Sequence, residues 1–161
     1  MAKVIIFGLL DTAELAHYYL ENDSTHEVVA FTVNQEYIDT PTFKGLPIIS
    51  FESIEETYPP SKYSLFAPMT GKNMNRNREK IYNDGKDKGY TFISYVSSKA
   101  TICDNQIGEN CFILEDNTIQ PFTRIGNNVV LWSGNHIGHH GVIKDHVFFT
   151  SHVVMSGHCV I

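Results

Sequence analysis

The stretch Ile107–Ile161, IGENCFILEDNTIQPFTRIGNNVVLWSGNHIGHHGVIKDHVFFTSHVVMSGHCVI, places a large apolar residue at every sixth position. These residues are Ile107, Ile113, Ile119, Ile125, Leu131, Ile137, Ile143, Phe149, Met155 and Ile161. A helix repeats its apolar face about every 3.6 residues and a half-buried strand every 2. A period of six fits neither and is the signature of a β-helix solenoid, a chain that coils. With three hexads to a turn, residues eighteen apart stack. The interior columns are then Ile107/Ile125/Ile143/Ile161, Ile113/Leu131/Phe149 and Ile119/Ile137/Met155. Ile102 lies five residues before Ile107, out of phase, so the prism is expected to begin at Ile107.

The remaining hexad positions agree. Three places after each apolar residue stand Asn110, Asp116, Phe122, Asn128, Gly134, His140, His146, His152 and His158. All but Phe122 are types that accept or favour positive φ, as a tight corner requires. One place further come small or medium groups able to point inward, among them Asn117 and Asn135, which read as a buried amide ladder. Phe112, Phe122, Val130, Trp132, Phe148 and Val154 fall at outward positions. An outer face that apolar implies a partner, most simply copies of the same chain in a closed ring.

Composition narrows the function. A formal charge of −6 argues against a nucleic-acid groove, which would carry a basic patch. Three cysteines, Cys103, Cys111 and Cys159, without a CxxC pair or signal sequence, suit a reducing cytoplasm. No membrane span is expected.

Upstream of the hexads, strand and helix alternate. Lys3–Gly8 reads as a buried strand, Asp11 as the N-cap of a helix with Glu14 completing a capping box, and Val28–Val33 as a second strand. Gly45–Ile49 reads as an edge-like strand and Ser50 as the cap of a helix through Ile54 to Tyr58. A strand Tyr63–Met69, an exposed helix from Asn73 to Lys88 and a returning strand Tyr90–Val96 follow. This alternation predicts a small parallel α/β sheet of Rossmann-like type over residues 1–96. Gly8-Leu9-Leu10-Asp11 has one glycine where a dinucleotide fingerprint has three. Gly8 and Leu9 nevertheless form a candidate ligand turn, and Asn34 stands where a residue after the second strand contacts a nucleoside. Thr70 and Gly71 are taken with them as substrate contacts.

His140, His146, His152 and His158 read as corner residues rather than metal ligands. His139 is different, because it is not at that corner position and its column partners are Pro121 and Gly157. An imidazole above a glycine amide suits acyl transfer, the base removing a proton from the attacking amine or hydroxyl while the amide holds the oxyanion.

The hexads around Trp132-Ser133-Gly134-Asn135-His136-Ile137-Gly138-His139-His140, together with Gly45-Leu46-Pro47-Ile48 and Tyr95-Val96-Ser97-Ser98-Lys99-Ala100, resemble the sialic-acid O-acetyltransferase/PglD-like family of sugar acyltransferases. The resemblance covers nearly the whole chain. It implies an α/β domain over residues 1–96 that holds a nucleotide-linked sugar, and a left-handed parallel β-helix over residues 97–161. It further implies a cytoplasmic homotrimer that takes acetyl from acetyl-CoA to a sugar amine or hydroxyl without a metal. Within it, His139 corresponds to the catalytic base and Gly157 to the backbone donor to the thioester carbonyl. The acidic residue that often precedes the base is here Gly138, and the solenoid is expected to be truncated, since Ile161 is the next in-phase core residue. Two other readings are open: a non-catalytic nucleotide-sugar-binding trimer scaffold, and a zinc carbonic anhydrase of the same solenoid class. No two histidines stand five apart, the spacing expected for two ligands of that zinc site.

Overall fold

The computed structural model describes residues 1–161 as two compact units. One comprises residues 1–70 and 80–93, the other residues 71–79 and 94–161.

The first unit is a five-stranded sheet with β1 (Lys3–Phe7), β2 (Glu27–Val33), β3 (Thr42–Phe43), β4 (Leu46–Ser50) and β5 (Ser64–Phe66) in the order β3-β4-β2-β1-β5. All neighbours are parallel except β3 and β4. The apolar runs of β1 and β2 are buried on both faces, which is why they read as continuous rather than alternating. Helix α1 (Asp11–Asn22) connects β1 to β2 and buries Ala13, Ala16 and Leu20. Ile5, Phe7, Ala30, Phe51, Ile54, Leu65, Tyr90 and Phe92 pack into one core.

Several local expectations are corrected. Leu10 is the N-cap of α1 and no side chain caps it; Asp11 is already helical, and Glu14 reaches Lys44 Nζ at 2.6 Å. Ser50 likewise caps nothing: its hydroxyl pairs with the Glu52 carboxylate ahead of the short α2 (Ile54–Thr57). β4 is not at the edge, because β3 folds back on it. Helix α3 spans Arg76–Asp87, starting three residues later than the polar run suggested. Asn73, Met74 and Asn75 before it take positive φ of 54°, 51° and 65°, a left-handed turn that a right-handed helix cannot continue through.

In the second unit three stacks of two-residue strands run parallel. One stack is Tyr95–Val96, Phe112–Ile113, Val130–Leu131 and Phe148–Phe149. The next is Thr101–Ile102, Thr118–Ile119, His136–Ile137 and Val154–Met155. The third is Gln106–Ile107, Arg124–Ile125 and Val142–Ile143. The prism therefore begins at Tyr95, not at Ile107. Val96 and Ile102 each stack on a residue seventeen ahead, so the short spacing between Ile102 and Ile107 is a one-residue deletion inside the first coil. Asp104, with φ of 53°, makes that corner. The Asn105 amide fills it by donating to Gln120 O at 2.9 Å and Thr123 O at 3.0 Å. The expected strand Tyr90–Val96 is consequently split, Phe92 bridging Leu65 in the sheet and Tyr95–Val96 opening the coils. The boundary expected at residue 96 differs from the division by contacts, which runs at residue 93 and assigns 71–79 to the coils.

Every corner from Asp104 to His158 has positive φ, including Phe122 at 67°. The interior columns Ile113/Leu131, Ile119/Ile137/Met155 and Ile125/Ile143 are buried. Asn117 and Asn135 are buried too, and their carbonyl oxygens accept from the backbone N–H groups of Asn135 at 3.3 Å and Val153 at 2.8 Å, forming the expected ladder.

The outward apolar positions divide. Phe112 and Val130 are buried within the chain, and Phe148 packs against Gly71 and lies 5.6 Å beneath the Arg78 guanidinium. Phe122 and Val154 remain more than two-thirds exposed.

Candidate active site

His139 lies in the corner that follows Ile137, exposed to solvent. Its backbone is held from both sides: its N–H donates to Gln120 Oε1 at 3.0 Å, and its carbonyl accepts from His158 N–H at 2.9 Å. The imidazole rests on Gly157, one coil on. A methyl group at Gly157 would stand 3.0 Å from both Cε1 and Nε2 of the ring, so any side chain there would displace it. The Gly157 N–H finds no partner within the chain. Gly138 faces a harder limit, since a Cβ on it would come within 2.4 Å of the Gly157 nitrogen. The coil spacing leaves that position no side chain, which explains why the residue before His139 is not acidic.

The histidines nearby form a cluster. His139 Nδ1 is 3.0 Å from His140 Nδ1, and two lone pairs cannot meet at that distance, so one nitrogen carries the proton. The His140 and His158 rings stack at 5.0 Å, His139 stands edge-on to both, and Phe122 lies 4.7 Å from His140. The corner reading of His140 and His158 holds for their backbones, at φ of 55° and 62°. The spacing of six gave no hint that three imidazoles would gather. The signal available was the eighteen-residue separation of His140 and His158, with His139 beside them.

In the sheet unit, Gly8 ends β1 with φ of 125° and donates its N–H to Thr32 O at 2.9 Å. A Cβ there would press on Ala13 at 3.2 Å, so this glycine has both a conformational and a packing reason. Leu9 is half-buried beside it, and Thr70 is exposed beyond the end of β5. Asn34, after β2, stands beside a polar group that the sequence reading missed: the Glu52 carboxylate accepts from Ser50 Oγ and from Gln35 N–H at 3.0 Å. These bonds, that of Ser50 first, hold the Glu52 carboxyl below its ordinary range. Gly71 lies in the coil unit, where a Cβ would meet Asn75 Oδ1 at 3.1 Å and Phe148 at 3.4 Å.

Arg78 was also not foreseen. Although only 1% exposed, it faces no carboxylate; its guanidinium donates to the carbonyl and side-chain oxygens of Asn128 and to His146 O at 3.2 Å. Burial pulls it down to about 10, still charged at neutral pH.

Residues 106–139 match the bacterial transferase hexapeptide model, a run of six repeats. That stretch of the chain is hexapeptide-repeat sequence. No curated protein shows a significant match. Among solved structures, a histidine-to-asparagine variant of perosamine N-acetyltransferase from Caulobacter crescentus, in complex with CoA and GDP-perosamine, superposes with a TM-score of 0.81 at 16% identity. The match covers 99% of this chain and 74% of that one. WeeI from Acinetobacter baumannii AYE gives a TM-score of 0.78 at 17% identity over 99% of this chain and 74% of its own. The acetyltransferase domain of PglB from Neisseria gonorrhoeae FA1090 gives 0.75 at 15% over 92% and 70%. The chain thus shares its fold, sheet unit included, with these proteins. No helix in it is long and apolar enough to cross a membrane.

Proposed function

We propose that this chain moves an acetyl group from acetyl-CoA to an amine or hydroxyl of a nucleotide-linked sugar, with His139 as general base and Gly157 as oxyanion donor. The observation that carries the reading is the His139 imidazole resting on a glycine whose N–H is unused. A donor aimed at developing charge and a base beside it are the two elements acyl transfer needs. His139 Nε2 takes the proton of the sugar nucleophile as it attacks the thioester carbonyl. The oxyanion so formed accepts from Gly157 N–H. Collapse breaks the carbon–sulfur bond, and the CoA thiolate leaves with the proton from the imidazolium. His140 takes over the orienting part that a carboxylate at position 138 could not play, accepting from His139 Nδ1–H and leaving Nε2 as the base.

The parallel strands β4-β2-β1-β5 run in the order of a Rossmann half-fold, whose ligands sit outside the carboxyl ends of the strands where the order reverses. That point lies between β1 and β5. It favours Gly8, Leu9 and Thr70 as contacts to the nucleotide-linked sugar, with Asn34 beyond β2. The fold shared with proteins crystallised with CoA and GDP-perosamine supports the substrate classes, a left-handed coil and a homotrimer closed over Phe122 and Val154. A cytoplasmic setting agrees with three unpaired cysteines.

The test is release of free CoA thiol from acetyl-CoA with a panel of GDP-, UDP- and dTDP-linked amino and hydroxy sugars. One sugar should turn over, and His139→Ala should lower kcat by roughly 10²–10⁴-fold without changing the melting temperature. Unchanged turnover in that variant removes His139 as the base. Sugar binding in the absence of any transfer would favour a binding scaffold.

A further inference from the structure

The cluster His139, His140 and His158 has a use that acyl transfer does not require. One ring nitrogen from each histidine lies within 4.8 Å of the other two, and all three side chains are exposed. Their backbones are fixed by the coils: His140 and His158 occupy one corner column eighteen residues apart, and His158 N–H is bonded to His139 O at 2.9 Å. Only the rings need to move. Three imidazoles on one tetrahedral zinc, with bonds of about 2.0–2.1 Å, stand roughly 3.3 Å apart. His139 and His140 already meet that spacing, their Nδ1 atoms being 3.0 Å apart. His158 needs a rotation out of its stack on His140, which solvent leaves room for.

We infer that these three histidines form a binding site for a divalent, imidazole-preferring metal ion such as Zn²⁺, and that its occupancy switches off acyl transfer. No carboxylate or thiol belongs to the cluster, so the ion keeps a ligand position open to water. Neutral imidazole bound to zinc through Nδ1 carries its one proton on Nε2, the nitrogen that serves as the general base. A metal-bound His139 therefore cannot take the proton of the sugar nucleophile. The inhibitory half rests on the function proposed above; the binding half does not.

The experiment uses the full chain, dialysed against a chelator and titrated with ZnCl₂ by calorimetry, with the visible spectrum of a Co²⁺-loaded sample as a second readout. The control is His158→Asn, since asparagine accepts the corner's φ of 62° and removes one imidazole. Circular dichroism confirms that the variant is folded. The wild-type chain should bind one ion and show a tetrahedral Co²⁺ spectrum, and His158→Asn should bind at least about tenfold more weakly. Added Zn²⁺ should stop acetyl transfer by the wild type, reversibly with chelator, and spare the variant. No zinc binding, or equal affinity in the two chains, overturns the site. Transfer unaffected by a bound ion overturns the switch. Zinc binding that His158→Asn weakens, in a chain that acetylates no sugar, supports the site and counts against the acyltransferase reading instead.

Discussion

Two corners of the coils have the same hexad position and the same left-handed backbone, yet opposite surroundings. Asn110, Asn128 and His146 form one, at φ of 55°, 55° and 66°; Phe122, His140 and His158 form the other, at 67°, 55° and 62°. In the first, the side chains are bonded to one another. Asn110 Nδ2 donates to Asn128 Oδ1 at 2.9 Å, Asn128 Nδ2 donates to His146 Nδ1 at 2.9 Å, and Arg78 closes the corner from outside. In the second, Phe122 is 71% exposed and the imidazoles meet solvent. The hexad thus sets the backbone, while whatever lies against a corner decides whether its side chains are bonded within the chain or left to solvent.

The largest expected effect comes from breaking the frame both corners share. Ile125→Asp would put a carboxylate among Ile107, Ile143 and the other interior side chains. It should cost about 4 kcal/mol or more in denaturant unfolding, because a lone buried charge has no partner there. A stability equal to that of the parent would mean that Ile125 does not face the interior.

Opening the closed corner comes next. Arg78→Met keeps the length and removes the donors to three buried oxygens, so a loss of about 2–3 kcal/mol is expected. Acetyl transfer should survive, since His139 is bonded to neither corner residue of that set. A stabilised variant would show instead that the cost of burying the unpaired guanidinium outweighs its hydrogen bonds.

A smaller effect separates backbone from side chain in the open corner. His158→Val should lose about 1–2 kcal/mol, because a β-branched residue resists positive φ, whereas His158→Asn should melt near the wild type. Equal melting temperatures for the two variants would mean that the corner relaxes out of the left-handed region.

The smallest perturbation is a thiol reagent. Cys111 follows Asn110 and Cys159 follows His158, again the same hexad position. Cys111 is fully buried and burial pushes its thiol up to about 11, while Cys159 is half-exposed and Cys103 exposed. Thiolate is the reactive form. Ellman's reagent at pH 8 should therefore titrate two thiols in the native chain and a third only after unfolding. Rapid reaction of all three would place Cys111 in an open corner.

Much of the coil unit was legible because each coil reads its pattern locally: one apolar residue inward, one residue at positive φ, every six positions. The register of His139 over Gly157 followed from counting alone. The extra strands at Tyr95 and Thr101 did not, because the deletion between Ile102 and Ile107 breaks the count, and only the Asn105 amide shows how the coil absorbs it. In the sheet unit the apolar runs announced β1 and β2, but Leu10, an apolar N-cap, overrode the capping box that Asp11 and Glu14 suggested.

By itself, then, the sequence determined the coiling, the interior columns, the corner conformations and the pairing of one imidazole with one glycine, since each depends on spacing along the chain. Only the tertiary structure decided that Arg78 is buried against one corner and that three imidazoles gather at another. It also decided that Gly138 can have no side chain and that the Gln35 backbone beside Asn34 is tied to Glu52. Those facts depend on groups that are distant along the chain and on the space between coils, and no periodicity encodes either.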